Sequence, residues 1–131
     1  MHITQETDYA IRIVYCLANA EGRKDARSIS EEMGVTLRFS LKILHKLVQN
    51  GIVKSYKGSK GGYELARPAA EINMKQVIEA IEGTFSLAKC VTQPGYECAW
   101  KTPGVCTFRM EFTRISQYIN EELEKVTFDK L

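Results

Sequence analysis

Cys90, Cys98 and Cys106 recur at even intervals of eight residues. The stretch that carries them has lost its apolar periodicity, and Pro94-Gly95 and Pro103-Gly104 mark turns within it. A thiolate is both a soft metal ligand and a redox group. Three in one irregular loop therefore point to a metal centre or to an oxidation-sensitive switch. The close cysteine pair typical of zinc sites is absent, and so are ferredoxin-type spacings. Three thiolates leave one terminal position of a 4Fe–4S or 2Fe–2S cluster without a protein ligand. The chain has two histidines: His45 falls on a helix face with other duties, and His2 is at the terminus. An oxygen ligand is the natural remaining donor. Cys16 differs, since it lies among apolar neighbours on a helix and reads as a small buried hydrophobe.

The elements upstream explain what such a centre would control. Thr4 caps a first helix from Gln5 to about Ala20, whose Ala10, Ile13, Val14, Leu17 and Ala18 follow the spacing of a buried face. Ser28-Ile29-Ser30-Glu31 has the form of a capping box and opens a short helix burying Ile29 and Met33 and stopping at Gly34. Thr36 caps the next helix, in which Phe39, Ile43, Leu44, Leu47 and Val48 make the core face and Asn50-Gly51 the stop. Two short helices joined by a turn containing glycine form a helix-turn-helix. Off the apolar stripe of the second lie Arg38, Lys42, His45, Lys46 and Gln49. The first three share one face, the candidate reader of a major groove.

Ile52–Tyr56 and Tyr63–Ala66 read as two strands around a basic, glycine-rich tip containing Lys57, Lys60 and Gly61. Glycine permits close backbone approach and lysine favours phosphate, so this hairpin reads as a wing. A nucleotide-binding P-loop is excluded, because no Gly-Lys-Ser/Thr occurs and no helix follows directly. The expected fold is mainly α with a small β-hairpin: a winged helix-turn-helix over residues 1–83, a cysteine-bearing segment at 84–107, and a long helix with its tail at 108–131. Asn73 caps a helix from Met74 to about Glu82. The last helix, about Phe108 to Lys125, repeats apolar residues at Phe108, Phe112, Ile115, Ile119, Leu123 and Val126. That stripe, along a rod of about 27 Å, is long for so small a head to cover and predicts a homodimer through this helix, the alternative being that it packs back onto its own core.

Bulk properties agree. The 131 residues, 44% hydrophobic and 26% charged, suffice for one core. The net charge of +2 conceals a basic block: residues 24–62 hold eight Lys/Arg against three acids, net +5, while the remainder is net −3. A block of that sign implies a polyanion, here double-stranded DNA. No apolar run is long enough to cross a bilayer and no secretory signal is visible, so a cytoplasmic protein without membrane association is expected, its thiols kept reduced.

The same residues carry a resemblance. Ile3-Thr4, Asp8-Tyr9-Ala10-Ile11-Arg12, Phe39 with Lys42-Ile43-Leu44, Lys60-Gly61-Gly62-Tyr63-Glu64-Leu65-Ala66-Arg67-Pro68 and Val77–Gly83 resemble the iron–sulfur cluster regulator family of bacterial repressors. With the three cysteines and the terminal Thr127–Leu131, the match spans essentially the whole chain. The resemblance implies a winged-helix homodimer on a palindromic operator, with a 4Fe–4S or 2Fe–2S cluster held by Cys90, Cys98 and Cys106. Lys42-Ile43-Leu44 and Asp8 look more like the nitric-oxide-sensing NsrR and iron-responsive RirA branches than the IscR branch, and imply Asp8 of the partner subunit as fourth ligand. On the residues alone, Asp8 is a first-turn acid favoured by the helix dipole. Two departures stand out: the intervals between cysteines are longer than in the best-known members, and Thr107-Phe108-Arg109 replaces the histidine that IscR-like proteins place after the third cysteine.

The resemblance and the basic face together give a cluster-sensing DNA-binding repressor, with Ser28, Thr36, Arg38, Phe39, Lys42, His45, Lys46, Lys57, Lys60 and Gly61 as candidate DNA contacts. The alternatives are a winged-helix regulator using its cysteines as a thiol switch, one sensing a small effector without a cluster, and an electron-transfer protein. The basic block argues against the last. No carboxylate pair or Ser/His arrangement suggests an enzyme.

Overall fold

The first four α-helices each start at a short polar side chain. The Thr4 hydroxyl accepts from the Thr7 amide and opens α1, Gln5–Ala18. The expected end at Ala20 is not reached, because the Asn19 amide group turns back to the Tyr15 carbonyl at 2.9 Å and terminates the ladder. The Thr36 hydroxyl caps α3, Leu37–Gln49, and Asn73 with Gln76 forms a reciprocal capping box on α4, Met74–Glu82.

The capping box expected at Ser28 is corrected. Asp25 is the cap: its carboxylate accepts from the Ser28 amide at 2.8 Å and from the Ser28 hydroxyl at 3.3 Å, and α2 runs Ala26–Met33. Asp and Ser are comparable caps, and the earlier one gives the helix most of an extra turn. Phe39 is likewise corrected from core to surface. The inner stripe of α3 is Ser40, Ile43, Leu44 and Leu47, and a residue one step before Ser40 points about 100° away.

The computed structural model describes residues 2–131. Ala10, Ile13, Val14 and Leu17 of α1 meet Ile29, Ile43, Leu44 and Leu47 in one buried cluster, closed by Ile52, Val53, Ile72 and Val77. Strands β1, Val53–Tyr56, and β2, Gly62–Leu65, pair antiparallel, with Val53 opposite Leu65 and Tyr56 opposite Gly62. Lys24 joins the outer side of β2 through two backbone hydrogen bonds with Tyr63, of 3.0 and 2.8 Å. Gly62 is required there: its φ is +131°, and a Cβ would stand 2.8 Å from the Lys24 carbonyl oxygen.

Beyond α4 the chain is less regular. The short helix α5, Lys89–Thr92, carries Cys90 in a stretch expected to be wholly irregular. The long helix α6, Thr107–Glu124, leans on α4 and α5, with Lys75 of α4 bonded to Glu124 at 2.7 Å and the Leu87 amide donating to the buried Ser116 hydroxyl at 2.9 Å. The tail then returns to the head. Val126 accepts from the Met74 amide at 2.8 Å, the Phe128 amide donates to Ile72 at 3.1 Å, and the Phe128 ring is buried in the main core. No helix among the described residues is long and apolar enough to cross a membrane.

Candidate nucleic-acid interface and cysteine segment

The outward face of α3 presents Arg38, Lys42 and His45, all exposed. Their spacing puts them opposite the buried stripe of Ser40, Ile43, Leu44 and Leu47, which fixes the helix against α1 and leaves the charged side to solvent. Arg38, Phe39 and Lys42 line an open recess of about 550 Å³. The Phe39 ring meets Tyr9 of α1 edge-on, centroids 6.1 Å apart and planes at 73°, and the Lys42 ammonium lies 6.0 Å from the Phe39 centroid.

Lys46 is placed differently from its neighbours. Its ammonium donates to Glu6 of α1 at 2.7 Å, and the Lys42 ammonium stands 3.7 Å from the same carboxylate. One acid on the first helix thus holds two cations of the candidate reading helix. Sequence gives no sign of this, since the partners are separated by some forty residues and only packing brings them together.

The wing extends Lys57 and Lys60 into solvent. Gly61 is sterically obligatory at the tip: a Cβ there would lie 2.5 Å from the Tyr56 carbonyl oxygen and 2.8 Å from that of Gly58. Arg23, absent from the sequence-derived set, holds the wing in place. Its guanidinium stacks 3.3 Å from the Tyr56 ring centroid and donates to the Lys60 carbonyl at 3.1 Å. The Tyr56 hydroxyl in turn donates to Glu64 at 2.7 Å, and that bond pushes the phenol pKa up. Ser28 is tied to Asp25, and the Thr36 hydroxyl accepts from the Phe39 amide at 3.3 Å, so both sit at helix N-termini.

Cys16 is buried in the core as expected. Burial, and then a hydrogen bond of 3.3 Å to Glu32, raise its pKa to about 11 and keep it a thiol. The other three cysteines are not brought together within one chain. Cys90 lies on α5, Cys98 is exposed in the loop beyond it, and Cys106 precedes the first turn of α6. All are free thiols. Asp8 is on α1, where its carboxylate pairs with Arg12 at 2.7 Å. Among the described residues no three His, Cys, Asp or Glu side chains stand close enough to hold one metal ion. The donors therefore suit iron in chemistry but not in placement. The same loop carries Trp100 stacked on Phe108, centroids 5.3 Å apart, and both rings are exposed.

Comparison with known proteins settles the family. The profile of Rrf2, described as an iron-dependent transcriptional regulator, matches residues 3–131. The chain belongs to the Rrf2 family. It is 36% identical over 99 residues to protein aau3 of Rhizobium meliloti, a match covering 75% of this chain and 64% of that protein. It is 28% identical over 133 residues to the transcriptional regulator NsrR of Oceanobacillus iheyensis, covering 100% of this chain and 89% of that one. The fold is also that of CymR, the global cysteine regulator of Bacillus subtilis, with a TM-score of 0.77 at 24% identity, covering 98% of this chain and 94% of that one. An Rrf2 chain of this fold is a winged-helix transcription regulator and not an enzyme.

Proposed function

We propose that this Rrf2 chain is a homodimeric repressor that binds a palindromic operator through α3 and the wing and reads its signal in the cysteine segment. The observation that carries the DNA-binding half is the exposed alignment of Arg38, Lys42 and His45 on α3, together with the exposed Lys57 and Lys60 of the wing. Arg38 is suited to bidentate contact with guanine and Lys42 to a base or phosphate. Lys57, Lys60 and the tip backbone at Gly61 are suited to phosphate, and Ser28 and Thr36, at helix N-termini, to further phosphates. His45 and Lys46 complete the face, Lys46 after release from Glu6.

Homodimerisation is supported by the exposed rings of Phe108 and Phe112 on the apolar side of α6. Two copies joined there carry two reading helices, which match half-sites about one helical turn apart.

For the signal, Cys90, Cys98 and Cys106 would hold an iron–sulfur cluster, with Asp8 of the partner subunit as the fourth donor; iron supply, nitric oxide, redox state or cluster supply would be sensed there. The donor set and the iron-dependent family description support this. The dispersed thiols do not: holding a cluster requires the segment to rearrange so that all three converge. Free and spaced as they stand, the same thiols favour a second reading, a thiol redox switch acting without metal.

One sample separates the two. Protein purified without oxygen is assayed for iron, acid-labile sulfide and visible absorbance, then titrated with a selected duplex. Cluster sensing predicts colour that is lost on replacing any of the three cysteines, with altered affinity. Colourless, iron-free protein whose DNA affinity changes on peroxide treatment establishes the switch instead. Absence of any salt-dependent duplex affinity removes both.

A further inference from the structure

Phe39 stands out on the candidate reading helix. It is 43% exposed, in the first turn of α3, and shares a recess with the cations Arg38 and Lys42, whereas Leu41, 45% exposed, does not line that recess. A ring of this size left in water forgoes a burial worth about fourfold in affinity for every methyl-sized group it could cover. It also has support: its ring packs edge-to-face with Tyr9, the Lys42 ammonium lies 6.0 Å from its centroid, and it lines the recess with Arg38 and Lys42.

We infer that Phe39 is a specificity-determining residue that reads the 5-methyl group of a thymine. The inference rests on the DNA-binding reading above and deepens it. In a major groove the thymine methyl is the one apolar group a base pair presents. The N-terminal turn of a recognition helix is the part that reaches base edges, and Phe39 is the third residue of α3. Arg38 beside it is the guanine reader, so the half-site contains a thymine within a base pair of a guanine contact. The edge-on support from Tyr9 matters because a fixed ring discriminates by position, whereas a mobile one only adds non-specific apolar contact.

The test requires no variant to begin with. A duplex is selected from a randomised pool by the full-length protein, and each thymine is then replaced in turn by deoxyuridine, which removes the methyl alone. The expected result is a loss of about fourfold per methyl at one thymine of each half-site and little change elsewhere. In Phe39→Ala that same substitution costs nothing further, while Phe39→Leu retains part of the penalty. Circular dichroism of each variant accompanies the titration. A flat deoxyuridine profile on a tightly bound duplex overturns the inference and leaves the DNA-binding reading standing. So does a penalty abolished by Leu41→Ala, the other exposed apolar residue of α3, and unchanged in Phe39→Ala. Failure to enrich any duplex sinks the DNA-binding reading itself, and this inference with it.

Discussion

The winged head and the cysteine segment are held by different forces. In the head, α1, α3 and α4 share one apolar cluster, and the wing is fixed by backbone bonds to Lys24, the Arg23 stack and two glycines that accept no side chain. Between Gly83 and Thr107 a four-residue helix and a few polar bonds, such as Ser86 to Thr92 at 3.1 Å, do the holding, and residues 92–101 are exposed throughout. A reader of DNA needs a fixed spacing of its contacts, which packing supplies. A sensor needs a low cost of rearrangement, which sparse packing supplies. One chain here divides the two requirements along its length.

Phe128→Ala tests the contrast most severely. Although it lies in the tail, its ring is in the head's core, so its removal should cost about 3–5 kcal/mol by chemical denaturation, as for other large core truncations. A loss near zero would mean that the tail is not part of the head.

Next is pH. Glu82, at the end of α4, accepts from the Thr7 hydroxyl at 2.6 Å and the Thr4 amide at 2.7 Å. Burial raises its pKa, and those bonds outweigh burial, so the carboxyl lies below the ordinary glutamate value of 4.5. A carboxylate depressed by folding contributes stability above that value and loses it as the pH falls through the folded pKa. Denaturation midpoints of the wild type should therefore drop below about pH 4.5 more steeply than those of Glu82→Gln. Identical pH profiles for the two proteins would count against the contact.

Glu6→Gln should have a smaller effect on stability, under about 1 kcal/mol for partly exposed pairs, but a visible one on binding. Freed of the carboxylate, Lys42 and Lys46 become available to phosphates. Duplex affinity should rise, and the salt slope should steepen by about 1–2. An unchanged slope would show that neither lysine approaches DNA. Smallest of all, Cys98→Ser should shift stability by no more than about 0.5 kcal/mol, as for an exposed residue without tertiary partners, and alter only the response to the signal.

Most of the head was legible from sequence because its information is local. The caps Thr4, Thr36 and Asn73, the stop at Gly34 and the apolar spacings of α1 and α4 each lie within one element, and the family motifs run through them. Ser28 was misassigned because Asp25, an equally good cap, stood three residues earlier. Phe39 was misplaced because an aromatic beside an apolar stripe is usually taken into it, and here Ser40 fills the inner position. Arg23 on Tyr56, Glu6 on Lys46 and Phe128 in the core left no mark, since each joins distant parts of the chain and depends on packing. The cysteines were visible as a set, yet even spacing along a chain says little about convergence in space when a helix, a loop and a helix start carry them.

The return of the tail has a mechanical consequence. With Phe128 buried and Val126 bonded to Met74, α6 is pinned at its carboxyl end, while its other end begins beside Cys106. A rod of about 27 Å pivoting there by about 5° would swing its far tip by roughly 2 Å. That displacement is comparable to a metal–sulfur bond length of about 2.3 Å. Small changes in tilt at the anchor and the reach of a thiol at the tip are thus linked by leverage alone.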